Sequence, residues 1–227
     1  MITEILMRNL SLLASERGSF MLVRERMISP GKRIPVNLPM NTAIEAYDNI
    51  NYSWLPVVDP EGTLVGLLTP ADIRKAKAAL ADNSESGERE YLVQDFMTTK
   101  YLVVNENTPV EEAVRMMIDY DFNELPVVKD GYYSGIITDK IMLRVLMEIT
   151  GARRQGVRLM VEVENKTGEL LRLLQTISDN KGNVQGFCTY CAPKDENVIA
   201  TLRVEGVDKY TLKQAVKNLG QKVVDIR

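Results

Sequence analysis

The chain has 227 residues, 45% of them hydrophobic and 26% charged, which fits a soluble globular protein and excludes a fibrous or disordered one. Its formal charge of −3 comes from 28 basic and 31 acidic residues spread along the sequence, so no polybasic stripe marks a nucleic-acid footprint; no apolar run reaches the roughly 18 to 20 residues of a membrane-spanning helix. Histidine is absent, and no serine, cysteine or lysine sits in a recognisable nucleophile motif, so neither a catalytic site, a metal site nor a cofactor is expected.

Residues 1–20 carry Glu4 and Arg8 within a weak helical pattern of Ile2, Ile5, Leu6, Leu10 and Leu13. They lack the basic start and unbroken apolar stretch of a signal peptide, and with two cysteines in the whole chain the expected compartment is the cytoplasm. From residue 21 the sequence is written twice. Leu55-Pro56-Val57-Val58 returns 70 residues later as Leu125-Pro126-Val127-Val128, with Met27 above Met97, Ile34 above Val104, Pro39 above Pro109, Ala43 above Ala113 and Tyr52 above Phe122. After one deletion Gly62, Gly66 and Thr69 stand above Gly131, Gly135 and Thr138. Self-similarity of this length outranks local propensity as a fold signal, and two similar units related by a pseudo-twofold tend to enclose a ligand cleft.

Each repeat predicts an extended opening (32–36; 101–104), a helix after a proline (41–51; 109–120), two strands around a Gly-containing turn (55–58 with 64–68; 125–128 with 133–137) and a second helix starting near Pro70 or Asp139. The first repeat spans 21–81 and the second 91–149, joined by the polar connector 82–90. A second linker, 150–156, leads to a different pattern: strand 157–163, amphipathic helix 169–180, strands 183–190 and 198–204, helix 209–219 and strand 222–226. The whole is an α+β protein of two repeats followed by a ferredoxin-like βαββαβ domain over 157–227.

The doubled segment resembles a tandem CBS-domain pair, or Bateman module, through Leu-Pro-Val-Val, the glycine before two apolar residues, and the stretch Gly66-Leu67-Leu68-Thr69-Pro70-Ala71-Asp72-Ile73 with its partner Gly135-Ile136-Ile137-Thr138. The last part resembles an ACT domain through Asn165-Lys166-Thr167-Gly168-Glu169-Leu170 and Gly182-Asn183-Val184. That layout is similar to the acetoin-utilisation B-type (AcuB-like) regulatory proteins. Those begin near the position of Met21, so residues 1–20 are read as an N-terminal extension.

The resemblance implies a regulatory protein, not an enzyme, that binds an adenine nucleotide such as AMP, ADP or ATP in its CBS cleft, associates as a homodimer and acts on a partner protein. The other reading is a dimeric interaction or scaffold protein with vestigial clefts. Thr69-Pro70-Ala71-Asp72 has the spacing of a capping box, in which Thr69 and Asp72 bond each other's backbone around Pro70. In CBS pairs an Asp at this position holds ribose hydroxyls, so the resemblance makes Asp72 and Thr69 nucleotide-binding candidates, with Thr138 in the second repeat. There Ile141 replaces the Asp, which predicts unequal sites. Ile34, Pro35, Trp54, Leu55 and Pro56 are the positional candidates for the adenine slot, although a Trp beside a strand also serves as packing. Lys32, Arg33, Arg74 and Lys75 are the nearest bases. Asn165, Gly168 and Leu170 are the effector-binding candidates of the ACT-like part, with dimerisation as the alternative role. Cys188 and Cys191 form a lone CxxC on a predicted strand, which reads as strand packing and not as a redox or zinc site.

Overall fold

The computed structural model describes residues 21–49, 53–83, 90–191 and 197–227. The extension 1–20, Tyr52, the end of the first predicted helix and most of the connector 82–90 lie outside the described residues. The described chain up to Ile141 forms one compact unit and Met142–Arg227 another. Among the described residues no helix is long and apolar enough to cross a membrane.

In the first unit each repeat builds a three-stranded sheet. Strands β1 (Ile34–Pro35), β2 (Leu55–Val58) and β3 (Leu64–Leu68) lie in the order β1-β2-β3, and β4 (Val104–Asn105), β5 (Glu124–Lys129) and β6 (Tyr132–Thr138) repeat it as β4-β5-β6. In both sheets the first pairing is parallel and the second antiparallel, and a bulge falls at Val57/Val58 and again at Val127/Val128. All four residues of Leu-Pro-Val-Val are buried in β2, which is why this strand shows no alternation.

The helices are α1 (Val23–Arg26), α2 (Met40–Asp48), α3 (Pro70–Asn83), α4 (Val110–Asp119) and α5 (Asp139–Ile149), with a 3-10 turn at Val93–Asp95. Helix α4 buries Val110, Ala113 and Met117, a spacing that places all three on one face. In the first repeat Met40, Ala43, Leu55, Val57, Leu68, Ile73 and Ala76 form one core cluster. Trp54, Val58, Leu64 and Leu67 pack with Tyr133 and Ile136 in another, which joins the two sheets.

The two repeats also exchange their lead-in segments. Ile28 bridges Ile136 of β6, and Thr98 bridges Leu67 of β3, so each lead-in adds to the sheet of the other repeat. The exchange continues upstream in matched pairs: Val23 N donates to Thr108 O and Val93 N to Leu38 O, while Arg24 N donates to Glu106 O and Gln94 N to Val36 O. Close approach of backbones at the bridges explains the motif glycines. A Cβ on Gly66 would sit 2.6 Å from Met97 Sδ, and one on Gly135 would sit 2.4 Å from the Ile28 carbonyl oxygen.

The second unit contains β7 (Val157–Val163), α6 (Glu169–Asp179), β8 (Asn183–Cys191), β9 (Val198–Glu205), α7 (Lys209–Asn218) and β10 (Lys222–Ile226). This is the βαββαβ order, and the four strands form an antiparallel sheet in the order β10-β7-β9-β8. Leu159, Val161 and Val163 alternate along β7 into a core with Leu173 and Ile177 of α6, Leu202 and Val204 of β9, and Leu212 and Val216 of α7. Helix α7 is capped by Asp208, whose carboxylate accepts from Tyr210 N at 2.9 Å and Thr211 N at 3.0 Å.

Candidate functional site

Asp72 and Glu124 are the buried carboxylates among the described residues. A buried carboxylate is retained only where hydrogen bonds replace the water it has lost, so the donors to each define what the site does. Asp72 lies in the first turn of α3 and is 3% exposed. Its Oδ2 accepts from Thr69 N at 2.9 Å and Thr69 Oγ1 at 2.7 Å, while Asp72 N donates back to Thr69 Oγ1 at 3.3 Å. This is the capping box that the Thr-Pro-Ala-Asp spacing predicts. A third donor comes from a distance: Thr98 Oγ1 reaches Oδ2 at 3.1 Å and Oδ1 at 3.3 Å. Oδ2 is therefore crowded, whereas Oδ1 has Thr98 as its hydrogen-bond donor.

The second repeat builds the same place differently. Ile141 stands for Asp72 and Ile28 for Thr98, so both members of the polar pair are replaced by isoleucine. Thr138 keeps only a long bond from Ile141 N, at 3.4 Å, and Asp139 accepts from Lys140 N at 2.5 Å. Both pseudo-equivalent helix starts are thus capped, and one of them carries a buried carboxyl group.

The pair also differs at the residue before Leu-Pro-Val-Val, where Trp54 faces Glu124 in the alignment. Trp54 is 6% exposed and packed among Val58, Leu64, Leu67, Tyr133 and Ile136. Glu124, 7% exposed, reaches across to the first repeat, where Ser53 N donates to its Oε1 at 2.5 Å. Burial pushes the Glu124 carboxyl above the usual carboxylate range and Asp139 adds to this, while the Ser53 bond and the neighbouring Trp54 amide pull it back.

Of the other sequence candidates, Ile34, Leu55 and Pro56 are buried and Pro35 is exposed. Lys32, Arg33, Arg74 and Lys75 are exposed, and Lys32 Nζ donates to the Asn49 carbonyl at 3.3 Å. In the second unit Asn165 is exposed, Leu170 packs at the edge of the core, and Gly168 takes φ +92 with open space where a Cβ would stand. A depression of about 270 Å³ beside this turn is lined by Glu162, Glu164, Glu169, Arg172, Gln221 and Lys222, among others. Cys188 and Cys191 are free thiols on β8, and among the described residues no group of three or more His, Cys, Asp and Glu is arranged to hold a metal.

Sequence reasoning missed Thr98 and Glu124. Both could have been found as mismatches in the repeat alignment, since Thr98 faces Ile28 and Glu124 faces Trp54.

Residues 23–79 and 93–148 match the family model of the CBS domain. The chain carries a tandem pair of CBS domains. The pair is similar to an uncharacterized protein of Methanocaldococcus jannaschii, 25% identical over 169 residues, which cover 68% of this chain and 58% of that protein. It is 30% identical over 125 residues to the L-aspartate semialdehyde sulfurtransferase of the same organism, covering 55% of this chain and 23% of the enzyme. The inosine-5'-monophosphate dehydrogenase of that organism is 32% identical over 120 residues, with 52% of this chain and 22% of the enzyme covered. The chain thus spans less than two thirds of the length of each of these relatives. Among solved structures, the CBS pair is similar to CBSX2 in complex with AMP, at 28% identity and TM-score 0.49 over 57% of this chain and 98% of that one. It is also similar to a Vibrio cholerae protein described as an acetoin utilization protein (AcuB), at 21% identity and TM-score 0.49 over 60% and 96%.

Proposed function

We propose that this chain is a non-catalytic regulatory protein whose CBS pair binds an adenosine-containing ligand, an adenine nucleotide or a close relative, at the first repeat. The observation that carries this reading is the buried carboxylate of Asp72 beside the hydroxyls of Thr69 and Thr98. A carboxylate with one crowded oxygen and one lightly bonded oxygen suits a ribose diol, whose hydroxyls take the place of Thr98 at Oδ1. Ile34, Leu55 and Pro56 supply apolar surface for a base, and Trp54 serves as packing between the sheets. Ligand binding regulates only if two arrangements of the chain bind it with different affinity. The second unit, in this reading, is an ACT-like domain that pairs two chains into a homodimer and takes an effector near Asn165, Gly168 and Leu170. The layout of a CBS pair followed by this domain, similar to that of AcuB-like proteins, supports a place in acetoin utilisation and a regulated partner protein, with the cytoplasm as the compartment.

A second reading is favoured by one specific observation: Thr69 and Asp72 bond each other in both directions, so capping by itself accounts for their spacing. On that reading the protein is a dimeric interaction module with vestigial clefts. Asp72→Asn separates the two. Loss of the cap charge costs about 0.5 to 1 kcal/mol of stability on either reading. Loss of a ribose acceptor lowers affinity for an adenosine compound more than tenfold by calorimetry, about 1.5 to 3 kcal/mol. Unchanged affinity in the folded variant removes Asp72 from the site. Ile141→Asp provides the complementary gain of function, a second binding event per chain.

A further inference from the structure

We propose that Glu124 makes the first-repeat cleft selective against phosphate, so that its preferred ligands are adenosine compounds that are neutral or cationic at the 5′ position. This deepens the adenosine reading above and rests on it. Leu55 and Leu68 are register partners, which places the Ser53–Trp54 end of β2 beside Thr69, the residue that bonds Asp72. Glu124 arrives at that same end from the second repeat, held by Ser53 N at 2.5 Å. Two buried carboxylates therefore flank one end of the β2–β3 hairpin.

The local field has a single sign close in. Thr138 is the register partner of Glu124, so Asp139, the next residue, adds a third carboxylate to the same wall and acts on Glu124 directly. The Ser53 amide, a donor that could have faced an anion, is already committed to Glu124. Of the charges farther out, Arg74 and Asp48 act on Tyr47, which Glu124 also reaches. Lys32, Arg33, Arg74 and Lys75 are exposed, where salt screens them, whereas the Asp72 and Glu124 carboxyl groups are buried, where salt screens far less. A ribose held at Asp72 brings a 5′ phosphate into this field, while a thioether or a sulfonium in the same place meets no repulsion. At the pseudo-equivalent position the second repeat is served by Trp54, which carries no charge, so the selectivity belongs to the first repeat.

Calorimetry of the full chain at fixed ionic strength with adenosine, AMP, 5′-methylthioadenosine and S-adenosylmethionine tests this. The wild type is expected to bind 5′-methylthioadenosine or S-adenosylmethionine at least about tenfold more tightly than AMP. Glu124→Gln is expected to shrink that ratio toward one, and Glu124→Asp, which keeps the charge, to preserve most of it. AMP binding as tightly as the neutral compounds overturns the selectivity and leaves the adenosine site standing, whereas no binding of any of the four overturns both. A ratio that survives unchanged in Glu124→Gln overturns the role of Glu124. The wild-type ratio requires no variant, so the proposal remains refutable even if the Gln protein does not fold.

Discussion

Gly135→Ala should be the more damaging of two substitutions that the sequence repeat makes look equivalent. Neither Gly135 nor Gly66 has a positive φ, so in open space an alanine at either position would stabilise by about 0.4 to 1 kcal/mol through the unfolded chain. The space is not open. At Gly135 the new Cβ would stand 2.4 Å from the Ile28 carbonyl oxygen and 3.2 Å from Met27 Sδ. The oxygen is backbone, held by a pair of bonds: Ile136 N donates to it at 3.1 Å, and Ile28 N donates to Ile136 O at 2.8 Å. Relief requires about 1 Å of retreat by the lead-in segment, which lengthens both bonds beyond use at about 0.5 to 1.5 kcal/mol each. With the entropic gain subtracted and the lost packing of Met27 added, the net cost is about 1.5 to 3 kcal/mol. At Gly66 the first atom met is Met97 Sδ at 2.6 Å, the end of a flexible side chain, with the Thr98 oxygen farther off at 3.2 Å. That change should cost about 1 kcal/mol or less, because a thioether can swing aside. Urea melts followed by fluorescence of the single, buried Trp54 measure both. A Gly135→Ala protein within about 0.5 kcal/mol of wild type, or a Gly66→Ala protein hurt as much, would refute the assignment of these glycines to backbone crossing.

Thr98→Val should cost about 1 kcal/mol by removing a donor to the buried Asp72 carboxylate, and its effect should be non-additive with Asp72→Asn in a double-mutant cycle; strict additivity would show that the pair does not interact. Glu124 has its folded-state carboxyl raised, chiefly by burial, so the stability it contributes is fully present below the unfolded carboxylate value and is lost as pH rises through the raised folded one. The Gln variant lacks this loss, so its stability relative to wild type should grow between pH 4 and pH 8 in denaturant titrations, and parallel pH profiles would contradict the burial argument. Light scattering at micromolar concentration should give about twice the 25.6 kDa of one chain, and a mass near that value would remove the homodimer from the proposed function.

What the sequence makes legible follows from how local each cause is. Strands β2, β3, β7 and β10 have the bounds that the apolar pattern and turn residues predict, because a period of two and a glycine turn are written within a few neighbouring residues. The capping box at Thr69 and Asp72 is legible for the same reason, being a contact over three residues. Thr98 is not, because it reaches Asp72 through a chain path of 26 residues and a single bridge leaves no periodic trace. The four-residue helix α1 and the 3-10 turn at Val93–Asp95 are too short to show a helical period, so the sequence assigns the lead-in segments no element although they are paired. Glu124 carries a signal that needs the repeat to be seen: it differs from Trp54 in the middle of an otherwise matching motif.

The exchanged lead-in segments fix an order in time as well as in space. Thr98 is made after β3 already exists, so its bridge to Leu67 can form as soon as it leaves the ribosome. Ile28 has no such partner waiting. Ile136 emerges about a hundred residues later, which at cellular rates of synthesis is roughly 5 to 20 s. Residues 21–28 wait first for Thr108 and then, for Ile28, until Ile136 is made, so the second repeat is the last to receive its edge. The two halves of an apparently symmetric pair are therefore closed by different events, an early one within reach of the nascent chain and a late one that returns to its beginning.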